Sequence, residues 1–341
     1  MKGRHVGGVG EFKLIRRLAD IIGKPRGSRI VRAIGDDAAV YRTAPGRVHV
    51  VSTDAFADQY HFDARFYSWV DVGGKAMAAS ISDIAAMNAV PRYATVALAL
   101  PPKFLVADAE RIYEGLQLCA EQQDVDIIGG DTTRSDRVTL SITIIGEAAE
   151  QDVVYRDGGL PGDLLCVTGP LGAADIGLQL LRFEAESQSP PMEGLDEAIV
   201  RQAKDRHLRP MPRTDMVHRW KNAGVKPHAL IDISDGLTAE VHHICRASGC
   251  GAAIDLAAVP VARAVRVLES DSARAMEFAL SGGDEYELLF ATPAEDCARM
   301  DACLFTVIGR LTADAGAVFL RREEGDEVAL GPGGHDHFAG P

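Results

Sequence analysis

Six short segments of this chain set an acid beside glycine, serine or threonine. They are Gly35-Asp36-Asp37, Ser52-Thr53-Asp54, Ser82-Asp83, Gly129-Gly130-Asp131-Thr132-Thr133, Asp232-Ile233-Ser234-Asp235-Gly236 and Gly282-Gly283-Asp284-Glu285. Several follow apolar runs that read as strands. Their carboxylates would then emerge at strand ends, where open α/β sheets keep their ligand crevices. Any one of these acids is explained as a helix cap or a turn residue. Six of them, each with small neighbours, are harder to read as caps. Converging carboxylates repel one another, so a cation has to hold them together, and oxygen ligands select Mg²⁺ or Ca²⁺ over softer metals. The adjacent glycines let backbone N–H groups come close to an anion. Acids for a metal beside amides for phosphate make up a metal–nucleotide site. The chain has no G-x-x-x-x-G-K-[ST], no strand-linked G-x-G-x-x-G and no H-R-D or D-F-G set, which disfavours P-loop, Rossmann and protein-kinase readings.

Such residues need elements to position them. A helix is expected over 11–22, with Phe12, Ile15, Leu18, Ala19 and Ile22 on one face. A β-rich run at 48–53 ends in Ser-Thr-Asp. The stretch 72–88, built largely from Ala, Met, Gly and Ser, reads as a helix that neighbouring backbones can approach closely. It carries Asp83 on the same face as Val72, Ala76 and Ala79, a face that should turn inward. A lone carboxylate there is costly unless it is paired or bound to metal. Strands at 94–100, 125–128 and 138–146, with a helix at 108–123, complete the first half. The 125–128 strand leads into the Gly-Gly-Asp-Thr-Thr segment.

A second half begins near Asp152, with strands at 164–168, 229–233, 252–256, 287–291, 305–311 and 317–321. Helices are expected at 171–183, 197–208 and 213–223, and one more runs to Ser248. The segment 184–196, rich in Ser, Gln and Pro, reads as a mobile surface loop. Strands alternating with helices in both halves predict two α/β domains (α+β type), at 1–149 and 150–341.

Composition narrows the classes further. A chain of 341 residues with 47% apolar and 25% charged residues is an ordinary globular protein, long enough for two domains. The net charge of −13 argues against a nucleic-acid partner. No run reaches the ~18 consecutive apolar residues that span a bilayer. The start MKGRHVGGVGEFKL lacks the apolar stretch of a signal peptide, so a cytoplasmic location is expected. The six cysteines are scattered without a C-x-x-C pair, as ordinary buried thiols would be.

Taken together, the motifs closely resemble the thiamine-monophosphate kinase family of the aminoimidazole-ribonucleotide-synthetase superfamily. The matching stretches are GEFKLI (10–15), IGDDAAV (34–40), STDAF (52–56), KAMAASISDIAAMNAVP (75–91), IGGDTTRS (128–135), PGDLLCVTG (161–169), RHLRPMPR (206–213), IDISDGL (231–237), ALSGGDEYEL (279–288) and GHDHF (334–338). They occur in family order from end to end. The resemblance implies a homodimer whose N-terminal domains pair their strands into a β-barrel, with the active site in the cleft between domains. It implies ATP as co-substrate, several Mg²⁺ ions and thiamine monophosphate as acceptor. Matched residue by residue, Asp37, Ser52, Thr53, Asp54, Asp83, Asp131, Asp232 and Asp235 resemble the family's magnesium shell. Gly130, Asp131, Arg156 and Ser234 resemble its ATP contacts, and His61, Asp284 and His335 its substrate contacts. Of these, Asp54, Asp131 and Arg156 are expected to act in the transfer itself.

Two departures fall on substrate contacts. The family order after Gly-Gly is Glu-Asp, whereas here it is Asp284-Glu285, so either acid could serve. An aromatic normally precedes Asp-His-Phe, and here His335 stands in that place. Neither change touches the metal shell.

The acceptor is a phosphate monoester with a second pKa of about 6, so its oxygen is a competent nucleophile without a general base. Rival readings are another enzyme of the superfamily or a nucleotide-binding relative that has lost catalysis. The selenide enzyme of the superfamily would want a cysteine near the N-terminus, and the first here is Cys119.

Overall fold

A computed structural model of the chain describes residues 28–186, 196–322 and 326–333. The helix expected over 11–22, the GEFKLI and GHDHF motifs, His335 and residues 187–195 of the expected loop lie outside the described residues.

The first half forms a six-stranded sheet from β1 (Ile30–Arg32), β2 (Ala39–Ala44), β3 (Arg47–Ala57), β4 (Val90–Leu100), β5 (Asp126–Arg134) and β6 (Thr139–Ala149). Its strand order is β1-β2-β3-β6-β4-β5. Only β4 and β5 pair in parallel, because α2 (Val106–Gln122) carries the chain back between them. One face of the sheet is covered by α1 (Trp69–Ala86), which packs on β3 and β6. Strand alternation explains the sidedness. Val48, Val50 and Phe56 of β3, Leu140, Ile142 and Ile144 of β6 and Val96 and Leu98 of β4 all point inward to Met77, Ile81 and Ile84 of α1. The small residues of α1 are a condition of its packing on α2. A Cβ on Gly73 would lie 2.0 Å from the Ile112 carbonyl oxygen, and one on Gly115 would lie 1.9 Å from that of Val70.

The second half forms a seven-stranded sheet from β7 (Leu164–Val167), β8 (Ala229–Asp232), β9 (Gly251–Asp255), β10 (Leu288–Thr292), β11 (Thr306–Thr312), β12 (Val318–Arg321) and β13 (Glu327–Ala329). The order is β13-β12-β9-β11-β7-β10-β8. Its central strands are apolar without alternation, since both faces are covered and separate clusters form on each. The helices are α3 (Ala173–Ala185), α4 (Glu197–Leu208), α5 (Thr214–Ala223), α6 (Leu237–Ser248), α7 (Arg263–Leu268), α8 (Ser272–Ser281) and α9 (Ala294–Cys297). The far side of α1 packs on β8 and α5, so this one helix is shared between the two halves.

The described residues thus hold two sheets and nine α-helices in a mixed α/β arrangement. Most predicted elements are present within a few residues. Three departures bear on function. Among the described residues the six-stranded sheet is open, with β1 and β5 at its edges, and no closed barrel is seen. The Gly-Gly-Asp-Thr-Thr segment is not a loop but part of β5, whose pairing with β4 runs on to Leu100 and Arg134. Strands β1, β2 and β13 and helices α7, α8 and α9 went unpredicted; β1 and β2 are short and flank a turn-like Gly-Asp-Asp. Of the cysteines, Cys166, Cys245 and Cys250 are buried as expected, whereas Cys303 is exposed. No helix among the described residues is long and apolar enough to cross a membrane.

Candidate active site

The inward positions of β3 run Val48, Val50, Ser52, Asp54, Phe56, so the apolar series breaks for two residues before it resumes. The break faces Asp83, two turns along α1 from the buried Lys75. The Ser52 hydroxyl donates to Asp83 Oδ2. Asp37, from the turn before β2, and Asp232, at the end of β8, close on the same point. Carboxylate oxygens of Asp37, Asp83 and Asp232 all lie within 4.8 Å of one another. Burial and then the neighbouring Asp54, Asp232 and Asp37 push the Asp83 carboxyl well above the usual range. Burial, with Asp37 adding to it, pushes Asp232 up to about 7. Burial also raises Asp54, against a hydrogen bond from Ser80. A set of hard oxygen donors from three distant segments, crowded with like charge, has the chemistry of a Mg²⁺ or Ca²⁺ site.

The cation at this cluster is Arg156, whose Nε and Nη2 donate to the two oxygens of Asp37 at 2.8 and 2.6 Å. Burial opposes its charge, but Asp37 and Asp36 hold the guanidinium protonated. Asp232 is followed by Ser234-Asp235-Gly236 and the start of α6. Gly236 offers no side-chain cap, so first-turn N–H groups of α6 are free of one and suited to a phosphate.

A cavity of about 650 Å³ opens beside the cluster and is lined from both halves of the chain. Asp54, Asp83, Asp232, Ser234 and Asp235 line its acidic part. The remainder is walled by rings, His61, Phe62, Phe66, Tyr67, His207 and Tyr286 among them, together with Asp284, Asp175 and Arg182. His61 packs at 5.3 Å on Phe56, and its Nδ1 accepts from the Ala57 amide. Asp284 and Tyr286 both take positive φ, 60° and 51°, which is costly for residues other than glycine. Their amides donate to the Ser234 and Ile233 carbonyls at 2.8 Å, tying this segment to the Asp232 loop.

Not every expected residue joins the site. Alternation along β3 turns Thr53 to the opposite face, where its hydroxyl meets Thr143 at 3.1 Å. Its side chain is therefore not with those of Ser52 and Asp54. Gly130 and Asp131 do not line the cavity. Asp54 pairs with Ile142, Ile142 with Val96 and Val96 with Gly130. Three strand spacings of ~4.8 Å put about 14 Å between them, and Asp131, opposite the exposed Ala97, faces outward. Glu285 is no alternative to Asp284. It is fully buried, accepts from the Ala174 amide at the start of α3 at 2.9 Å and faces Arg206. The sequence reading missed Lys75, Tyr67 and His207. A lysine inside an otherwise small and apolar helix, and the dense aromatic run from Phe56 to Trp69, were the available signals.

Comparison with known proteins places the chain in a family. The family model for the N-terminal domain of AIR synthase related proteins matches residues 35–148, and that for the C-terminal domain matches residues 161–321. The two matches cover most of the chain, which is thus a member of that class. The chain is 35% identical to the thiamine-monophosphate kinase of Escherichia coli K12, over 97% of this chain and 99% of the relative. It is 33% identical to that of Bacillus subtilis, over 89% and 93%. The solved structure of AaThiL complexed with AMPPCP and TMP superposes with a TM-score of 0.84 at 30% identity, covering 99% of this chain and 100% of that one. The chain belongs to the thiamine-monophosphate kinase family.

Proposed function

We propose that this chain transfers the γ-phosphoryl group of ATP directly to the phosphate of thiamine monophosphate, yielding thiamine diphosphate and ADP. The observation that carries the reading is the convergence of Asp37, Asp83 and Asp232, the last two in the wall of a cavity whose remaining walls are rich in aromatic rings and bear Asp284, Asp175 and Arg182. Phosphates belong at the first part and a ring system at the second.

Asp37, Asp83 and Asp232 would hold Mg²⁺, with Asp54, Asp235 and Ser52 beside them. Bound there, Mg²⁺ supplies charge neutralisation between two phosphate esters and on the transferring phosphoryl. The Ser234–Gly236 turn and the first turn of α6 receive nucleotide phosphate. Arg156 holds Asp37 in place and stands ready to follow charge as it develops. His61 and Asp284 face the thiamine rings. No residue needs to act as a base, because the acceptor oxygen is already ionised; the chain's contribution is to align two oxygens about one phosphorus.

A homodimer fits the remaining pieces. The outer face of the six-stranded sheet carries small residues such as Thr53, Thr95, Ala97 and Thr143, and β5 pairs only with β4 among the described residues. A second copy on this face would close the barrel and bring its Asp131 and Gly130 to a site they cannot reach in their own chain. Residues 1–149 are then the nucleotide, magnesium and dimerisation domain, and residues 150–341 the α/β domain that completes the cleft.

The test is incubation with ATP, Mg²⁺ and thiamine monophosphate, with chromatography of the products. One ADP per thiamine diphosphate is expected. ADP without thiamine diphosphate, or neither product, rules the reading out.

A further inference from the structure

Lys75 is fully buried in α1, and burial pulls its ammonium below the ordinary value, but Asp284 opposes that and two of its protons have acceptors. Nζ donates to Asp284 Oδ2 at 2.9 Å and to the Tyr67 hydroxyl at 2.9 Å, and lies 3.4 Å from His207 Nε2. The Tyr67 hydroxyl sits 2.7 Å from that same Nε2. Burial, reinforced by the Lys75 charge, pulls His207 down to about 3, so the ring is neutral and Nε2 can accept. The other carboxylate oxygen of Asp284 accepts from the Tyr286 hydroxyl at 3.0 Å. Burial alone would raise the Asp284 carboxyl, but the Lys75 charge and hydrogen bonds from Lys75 and Tyr286 bring it below its ordinary value. The result is an ionised carboxylate clamped from behind, with 36% of its side chain open to the cavity.

Position gives this clamp a use. Lys75, Ala79 and Asp83 stand at i, i+4 and i+8 on one stripe of α1, with Ala79 in the cavity wall between them. Eight residues of helix span about 12 Å, comparable to an extended molecule of two linked rings and an ethyl phosphate. Thiamine monophosphate carries its phosphate at one end and a thiazolium cation and an aminopyrimidine toward the other.

We propose that Lys75 is a positioning residue for the acceptor: it holds Asp284 as a fixed anion for the cationic, amine-bearing ring end, while α1 sets the distance from there to the phosphate end at Asp83. This deepens the proposed function and rests on Asp284 meeting the thiamine rings. A lysine kept merely to fill the core would not aim its two hydrogen bonds at a cavity-facing carboxylate and at a tyrosine of the same cavity wall.

The test compares Lys75→Met, Lys75→Gln, Asp284→Asn and the double variant Lys75→Met/Asp284→Asn, in steady-state kinetics of the full chain. Lys75→Met should raise KM for thiamine monophosphate by about 30-fold or more. KM for ATP and the thermal shift induced by Mg²⁺ should stay within about twofold, since neither involves this end of the cavity. The double variant should be no worse than the worse single one, because both remove the same contact. If Asp284→Asn raises KM and Lys75→Met does not, the role of Lys75 is wrong while the ring contact stands. If Asp284→Asn leaves KM unchanged, the ring contact itself is wrong. Equal damage to KM for ATP means Lys75 serves the fold alone. Should Lys75→Met fail to fold, Lys75→Gln keeps a neutral donor in the hole and is read by the same criteria; insolubility of both overturns the proposal.

Discussion

Asp83 shows what a single side chain costs and contributes here. It lies among three other carboxylates, with a serine hydroxyl as its hydrogen-bond donor. Like charges buried together oppose folding, and such strain is kept where function needs it. Asp83→Asn should therefore raise the melting temperature measured in EDTA, by relief of about 1 kcal/mol or more of repulsion. The same change should lower kcat by about 100-fold or more, as expected for loss of a metal ligand. A melting temperature that falls in EDTA would show that the acids are not repelling one another. Full turnover by the variant would take Asp83 out of the metal site. Asp284 and Glu285 make the complementary point. They are adjacent and chemically alike, yet one faces the cavity, held by Lys75, and the other is buried against the first turn of α3.

At the scale of elements, α1 links packing to chemistry. It carries Lys75 and Asp83 on one stripe while its glycines admit α2 at backbone distance. Gly73→Ala would force a Cβ to within 2.0 Å of the Ile112 carbonyl, so the two helices must part. A loss of about 1–3 kcal/mol of stability is expected, read by denaturant unfolding. Because the shift moves Asp83, kcat should also fall at temperatures where the protein remains folded. Unchanged stability would mean that the helix pair yields more easily than its close contact implies. Strand β3 makes the same link more simply: period-2 alternation sends Ser52 and Asp54 to the cluster and Thr53 away from it.

At the scale of the whole molecule, the cavity belongs to both halves of the chain, and the proposed site belongs to two chains. If Asp131 serves the cluster of a second copy, two inactive variants should rescue each other. Asp83→Ala and Asp131→Ala, unfolded together and refolded as a mixture, should recover about a quarter of wild-type activity, since half the dimers then hold one intact site. No recovery, with mixed dimers verified by tagged pull-down, would return Asp131 to its own chain or remove it from the reaction.

Much of this was legible in the residues themselves. Local patterns carry the acids with their small neighbours, the helical face of Asp83 and the run of strands and helices, because alternation and 3.6-residue periodicity act over a few residues. The ordered motifs carried the family. What the linear chain does not hold is which acids meet. Asp37, Asp83 and Asp232 converge only because α1 is packed between two sheets, whereas Asp131 is turned away by the register of β5. The partnership of Lys75 with Asp284 spans more than 200 residues, and the division of labour between Asp284 and Glu285 depends on partners from α1 on one side and from α3 and α4 on the other. Such contacts are set by how elements pack, and packing is a property of the folded chain.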